Sequence, residues 1–340
     1  MRDKTMLENY KIDGKGLANL NILITGGAGV IGSRLLEFLL LRDEGVNSIR
    51  VIDNLSSSSY ENIAKHVNQK DVTFIKGDLG DRASMNNALK DVDIVIHLAA
   101  NADVRYRPDL GTDTDLKNST IGTYNLLEEM RVKDVKYLLF SSSSSIYGNA
   151  NIFPTPETYG PVLTESLYAA SKLASEGLIS SFSSMFGFKS LIFRFANITS
   201  ATFRSMGRNV IPDFIFKLKE NPQRLEILGN GQQEKSYLFV DDCIKGMLRM
   251  SESIDKPTDI FNLGNTDSTN VNTVADIVIR EMGLRNVILS YTGGKVGWKG
   301  DISKTVLSID KALKKGWKPT LSSNEAVRAS VQGIIGRYTA

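Results

Sequence analysis

Residues 21–32 read NILITGGAGVIG, and the fold turns on how this stretch is understood. Ile22, Leu23 and Ile24 form an unbroken apolar run, the pattern of a strand buried in a parallel sheet. Thr25 and the glycines Gly26, Gly27, Gly29 and Gly32 come next, then a helix pattern carrying Leu35, Leu36, Phe38 and Leu39. Strand, glycine turn and helix start are the parts of a dinucleotide site. The glycines allow the tight turn, the approach of a pyrophosphate to the backbone, and close packing of helix on strand. The N–H groups that open the helix, at Val30 and Ile31, then hold phosphate charge. Asp53 ends a second apolar strand about twenty residues later, the expected place for a ribose-binding carboxylate.

Downstream, strands are predicted at 49–53, 72–76, 93–97, 136–141 and 189–195, with helices at 30–42, 81–90, 115–131 and 167–187. That alternation implies an α/β fold, a doubly wound parallel sheet with helices on both faces and ligands at the carboxyl ends of the strands. Asp53 is placed to accept hydrogen bonds from the adenosine ribose and to repel a 2′-phosphate. Asn54, Leu55 and Ser56 supply no arginine, so NAD is favoured over NADP. Asp78 and Leu79, ending the third strand, are expected beside the adenine. Leu98, Ala99 and Ala100 end the fourth, where small residues let the cofactor pass close. His97 just before them is read as a satisfied core residue.

The fifth strand runs into Ser141–Ser145 and then Ile146-Tyr147-Gly148. Tyr168 and Lys172 follow on a helix, four residues apart and therefore on one face. A nearby ammonium and a cationic nicotinamide both favour phenolate. Tyr168 is thus expected to have a lowered pKa and to serve as a base.

The 340 residues are 41% apolar and 23% charged, ordinary for a globular chain long enough for two lobes. A net charge of +3 gives no support for nucleic-acid binding. The one cysteine, Cys243, excludes a disulfide framework or cysteine metal site, and no metal is expected. The opening MRDKTMLENYK lacks an apolar leader core and no apolar run approaches a membrane span, so a cytoplasmic protein is expected.

Thr25–Gly32, Asp53-Asn-Leu, Gly77-Asp78-Leu79, His97-Leu-Ala-Ala, the serines before Tyr147-Gly148, and Tyr168-x-x-x-Lys172 together resemble the extended short-chain dehydrogenase/reductases. More narrowly, the chain is similar to the NAD-dependent nucleotide-sugar epimerases and dehydratases, with UDP-hexose 4-epimerases nearest. The resemblance implies a Rossmann-type domain over 21–196, joined by about 236–264. It also implies a smaller C-terminal α/β lobe for the nucleotide sugar over 197–235 and 265–340, with 1–20 as an arm. It makes Ser143 the hydroxyl that assists Tyr168, with Lys172 anchoring the ribose.

The same resemblance assigns Asn197 to the diphosphate and Asn209-Val210 to the segment under the uracil. Arg105, Ser144 and Asp301 complete the expected substrate contacts. Lys235 stands where the family carries an arginine, and Trp298 where it carries a second; Lys299 or Arg204 is expected to compensate. Ser119 replaces a usual asparagine, with Asn118 beside it. Ser144 and Ser145 occupy the positions of the Asp–Glu pair of 4,6-dehydratases, which favours C4 epimerisation. Dehydration (4,6- or 5,6-) is the alternative, drawing on Asp103, Glu157 or Glu165, and a non-catalytic NAD sensor the remote one. Asp241 and Asp242 open a helix, where capping is one expected role. A homodimer is expected through helices 115–131 and 167–187, with Leu178, Ile179, Phe182 and Met185 facing outward.

Overall fold

Short strands without polar interruption alternate with amphipathic helices along the first two-thirds of the chain, and the alternation closes into one parallel sheet. The computed structural model describes residues 17–336 apart from 42–44, 68, 70, 102, 106–108, 110, 203–208 and 253. The proposed arm therefore lies outside the described residues except for its last four, of which Leu17 is buried. The sheet comprises β1 (Asn21–Thr25), β2 (Ser48–Asp53), β3 (Val72–Lys76), β4 (Ile94–His97), β5 (Tyr137–Ser143), β6 (Lys189–Phe195) and β7 (Thr258–Leu263). Its order is β7-β6-β5-β4-β1-β2-β3, with every pairing parallel. The order reverses between β1 and β4, so a crevice opens at their carboxyl ends.

Helices cover both faces. On one side α1 (Val30–Leu40) and α6 (Val240–Met250) pack Leu35, Leu36, Ile244 and Met247 against Ile22 and Ile24. On the other, α2 (Arg82–Ala88), α3 (Gly122–Val132) and α4 (Leu167–Phe186) bury Met85, Leu126, Met130 and Ile179 against Leu23 and Val95. A separate apolar cluster joins α5 (Val210–Glu220), α7 (Val271–Glu281) and α9 (Ser323–Gly336) to the parallel pair 224–227 and 288–291. The short α8 (Asp310–Lys314) leads into Trp317, which closes over α6 and donates its indole N–H to the Asp242 carbonyl at 3.0 Å.

Four details depart from the sequence reading. The helix expected at 115–131 opens with a π-helical turn, Leu116–Ile121, before α3. Ser142 and Ser143, expected beyond the fifth strand, lie within β5. Asp241 and Asp242 do not cap α6: Asp241 pairs with Arg34 at 2.8 Å, and Asp242 accepts from Thr320. Ile179 and Phe182, expected to face outward, are core residues, because α4 turns that stripe onto the sheet; Met185 is exposed.

A buried polar network braces α4 against β5 and β6. Arg194 on β6 forks onto Glu176 of α4 at 3.1 and 2.8 Å, and Ser142 of β5 donates to the same carboxylate at 2.5 Å. Arg194 also reaches Tyr147 Oη at 2.9 Å, and Tyr147 donates to Asn262 of β7 at 2.8 Å. Removing one partner of a buried ion pair leaves an uncompensated charge. Glu176→Ala should therefore lower the unfolding free energy in urea by about 3–5 kcal/mol, and a loss below about 1 kcal/mol would refute the brace.

Candidate active site

The glycine turn has the shape its sequence requires. Gly26 has φ +68°, and a Cβ there would meet the Ala99 nitrogen at 2.7 Å. A Cβ on Gly32 would fall 2.5 Å from the Gly27 Cα. Gly29 is the N-cap of α1 and brings no side-chain cap, so the first-turn N–H groups, including those of Val30 and Ile31, are left to a ligand. The cradle fits a dinucleotide pyrophosphate.

β1 and β4 are tied together beside this turn. Thr123 donates to the Ser119 carbonyl at 2.6 Å, so its oxygen is left to accept from His97 Nε2 at 3.0 Å. His97 Nδ1 then accepts from Thr25 Oγ1 at 2.7 Å, and Thr25 in turn accepts the Ala99 N–H at 3.2 Å. Burial holds the imidazole neutral, its pKa pushed down to about 3. His97 is a satisfied core residue that fixes Leu98–Ala100 against the glycines.

Asp53 stands at the end of β2. Its Oδ2 accepts the Ala28 N–H at 3.0 Å, and its Oδ1 accepts from the Leu55 N–H and from Ser58 Oγ, both at 2.9 Å. Nothing in the sequence singles out Ser58, one of four consecutive serines. Asn54 donates to Asp78 Oδ2 at 2.6 Å, and Asp78 Oδ1 accepts the Gly80 N–H at 2.7 Å, while Leu79 is buried. Three acidic or amide groups expected near an adenosine thus share one edge.

Ser166 caps α4, accepting the Ala169 N–H at 3.2 Å, and the first two turns then present Tyr168 and Lys172 on one face. Lys172 is 2% exposed, and its ammonium donates to the Ser141 carbonyl at 2.6 Å and lies 4.7 Å over the Phe140 ring. Burial draws its pKa down to about 7, against the opposing pull of Glu176 and Asp115. Tyr168 departs from expectation: burial and the nearby Asp115 push its phenol up to about 12, with only the Ser143 hydrogen bond pulling the other way. Lys172 turns to the Ser141 carbonyl and burial weakens its charge, so it is not among the groups that favour phenolate at Tyr168.

A cavity of about 460 Å³ opens in front of these groups. Arg105, Ser143, Ser144, Tyr168, Asn197, Asn209, Val210, Lys235 and Asp301, all expected at the substrate, line it. Lys299 does not; it is exposed, while Trp298 and Gly300 on either side line the wall. Arg204 lies outside the described residues. Lys235 pairs with Asp301 at 3.2 Å and donates to the Ile302 carbonyl, and burial lowers its pKa. Arg105 lies 3.3 Å from Asp103 Oδ1, and Asn209 caps α5 through the Ile211 N–H. Asn118 is exposed and does not replace the missing asparagine, and the Ser119 hydroxyl is buried without a hydrogen-bond partner among the described residues. Phe195, Phe214 and Gln233 also line the cavity; no sequence signal marks them, since their context is that of ordinary core.

Residues 22–264 match the model of the NAD dependent epimerase/dehydratase family, and the chain belongs to that family. It is an NAD-dependent enzyme of the epimerase and dehydratase type. A curated protein of Methanocaldococcus jannaschii, assigned provisionally as a UDP-glucose 4-epimerase, is 32% identical over 91% of this chain and 97% of its own length. A crystal structure of a UDP-galactose 4-epimerase is 33% identical, covers 94% of this chain and 99% of that one, and superposes with a TM-score of 0.81. The UDP-glucose 4-epimerase of Thermus thermophilus in complex with NAD is 28% identical, covers 93% and 99%, and has a TM-score of 0.80.

Lys172 makes a stability prediction. Between pH 7 and 10 the unfolded lysine holds a proton that the folded one lacks, so stability rises with pH through this window. The cofactor-free protein should gain about 2 kcal/mol from this group between pH 7 and 9. Lys172→Met should remove that rise in urea titrations; an unchanged pH dependence would contradict the burial of a neutral amine.

Proposed function

We propose that the protein interconverts the C4 epimers of a UDP-hexose, UDP-glucose and UDP-galactose or their N-acetyl forms. The observation that carries the reading is the serine turn: Ser143 meets Tyr168 at the cavity wall, and the next two positions, which dehydratases fill with carboxylates, are Ser144 and Ser145. The described carboxylates lining the cavity are engaged elsewhere, Asp301 with Lys235 and Asp213 with Lys217 at 3.1 Å. Asp103, Glu157 and Glu165 are not among the lining residues; Glu157 accepts the Asn262 N–H and Glu165 accepts from Asn149.

NAD, bound along the glycine turn and Asp53, supplies a reversible hydride acceptor for the sugar's C4. Tyr168 takes the proton of the 4-hydroxyl and later returns it, and Ser143 holds that oxygen in both steps. Lys172 would hold the nicotinamide ribose, and its charge together with that of the oxidised ring would favour the phenolate of Tyr168. Asn197, Asn209, Lys235 and Arg105 hold the nucleotide and diphosphate while the ketone turns over, and the cavity keeps water from it. Residues 21–196 with 236–264 serve as the NAD-binding unit and 197–235 with 265–340 as the nucleotide-sugar lobe. Thr305 is the small residue on this side of the cavity wall, which leaves room for an acetamido group.

Incubation with UDP-, dTDP- and GDP-hexoses, followed by NMR and mass spectrometry, tests the reading. UDP-glucose and UDP-galactose should interconvert without change of mass, and a product lighter by one water would overturn it. Tyr168→Phe should still bind NAD while turnover falls by about 10²–10⁴, the usual weight of a general acid–base group; near-normal turnover would refute its role.

The protein is further read as a cytoplasmic homodimer. Among the described residues no helix is long and apolar enough to cross a membrane. Leu116, Ile121, Tyr124, Leu167 and Met185 are exposed along the π-helical turn, α3 and α4, an apolar surface suited to a two-fold partner. Light scattering at micromolar concentration should give twice the chain mass, and a monomer would refute the pairing.

A further inference from the structure

The serine run distributes its hydroxyls with little overlap. Ser141 donates to the His97 carbonyl at 3.1 Å, and Ser142 to Glu176. Ser145 turns back on Ser143, donating both its N–H at 3.2 Å and its hydroxyl at 2.8 Å to Ser143 Oγ. A serine hydroxyl has one proton and two lone pairs. With both lone pairs taken by Ser145, what Ser143 has left to offer is its proton, and the Tyr168 phenol lines the same cavity wall.

We propose that Ser145 is a positioning residue that makes Ser143 a committed hydrogen-bond donor toward Tyr168 and the sugar oxygen beside it. The distinction is chemical. A donor stabilises phenolate, whereas an accepting hydroxyl would hold the phenol's proton in place and keep the base unavailable. A lone serine rotor beside a neutral phenol is free to accept, and Ser145 removes that option.

The turn that carries the pair is held firmly. Ser143 is the N-cap of the 3₁₀ turn Ser144–Tyr147, Ile146 and Tyr147 are buried, and Tyr147 is fixed by Asn262 and Arg194. Gly148, at φ +57°, then turns the chain away, with the Leu163 carbonyl packed where a side chain would go. The charged and titratable groups around the phenol are Lys172 on its own helix, Asp115 at the π-helical turn, Glu176 one turn beyond Lys172 and held by Arg194, and neutral His97 on β4. The hydrogen bonds of the Ser145 side chain and N–H go to Ser143 rather than to any of these groups, so its variants leave that background in place.

This inference rests on the reading of Tyr168 as the base, yet its test needs no sugar. In the NAD-loaded protein, ultraviolet difference titration reads tyrosinate formation, and a Tyr168→Phe control isolates the one phenol. Ser143→Ala should move the Tyr168 midpoint up by about 1 pH unit, the weight of one hydrogen bond to a charged group. Ser145→Val should move it up by a comparable amount, while Ser145→Thr, equal in size but retaining the hydroxyl, should restore it. The Ser143→Ala/Ser145→Val double variant should titrate with Ser143→Ala alone, because Ser145 acts only through Ser143. An unmoved midpoint in Ser145→Val, or shifts that add in the double variant, would overturn the proposal. Absence of UDP-hexose epimerisation by the wild type would instead overturn the reaction assignment and leave the titration result standing.

Discussion

The bond from the Lys172 ammonium to the Ser141 carbonyl is the contact on which the rest of the site depends. It joins the second turn of α4 to the carboxyl end of β5, and those two elements carry Tyr168 and Ser143, the base and assisting hydroxyl of our proposal. One turn later Glu176 repeats the junction through Ser142 and Arg194. A buried lysine beside a buried ion pair is costly in isolation; burial weakens the lysine's charge while its N–H still finds the Ser141 carbonyl, and Glu176 and Arg194 satisfy each other. The return is geometric: Tyr168 and Ser143 line one cavity from two different elements.

Burial dominates the electrostatics of the site. Burial keeps the Tyr168 phenol protonated and strips charge from Lys172, both in the direction expected for desolvated groups. An added positive charge at the nicotinamide, with a ribose hydroxyl for Lys172, reverses that balance on our reading. At Lys235 the pattern is different: the ammonium is already paired with Asp301, so on our proposal a diphosphate there would share that lysine with a carboxylate.

Much of this was legible in residues 21–32, because a glycine turn has strict steric demands and Gly26 and Gly32 meet them at backbone contacts. Tyr168 and Lys172 were legible because helical spacing alone puts them on one face. Less visible was anything that depends on which way a side chain turns. Lys299 and Trp298 are adjacent in sequence, yet the tryptophan faces the cavity and the lysine faces solvent. Ile179 and Phe182 share α4 with Met185, and a small difference in helix phase separates core from surface. The π-helical turn at Leu116–Ile121 has no local signature, and Ser58's bond to Asp53 is a tertiary accident of one serine among four. Propensity and period do not encode such choices; packing does.

The central claim is that one closed site removes the hydrogen from sugar carbon 4 and gives it back to the same carbon, with Tyr168 and Ser143 handling the oxygen. UDP-glucose carrying deuterium at carbon 4 tests this most directly. In ordinary water the UDP-galactose formed should retain the deuterium at carbon 4 by NMR, at unchanged total mass. Loss of the label to solvent, or its appearance at another carbon, would contradict the account.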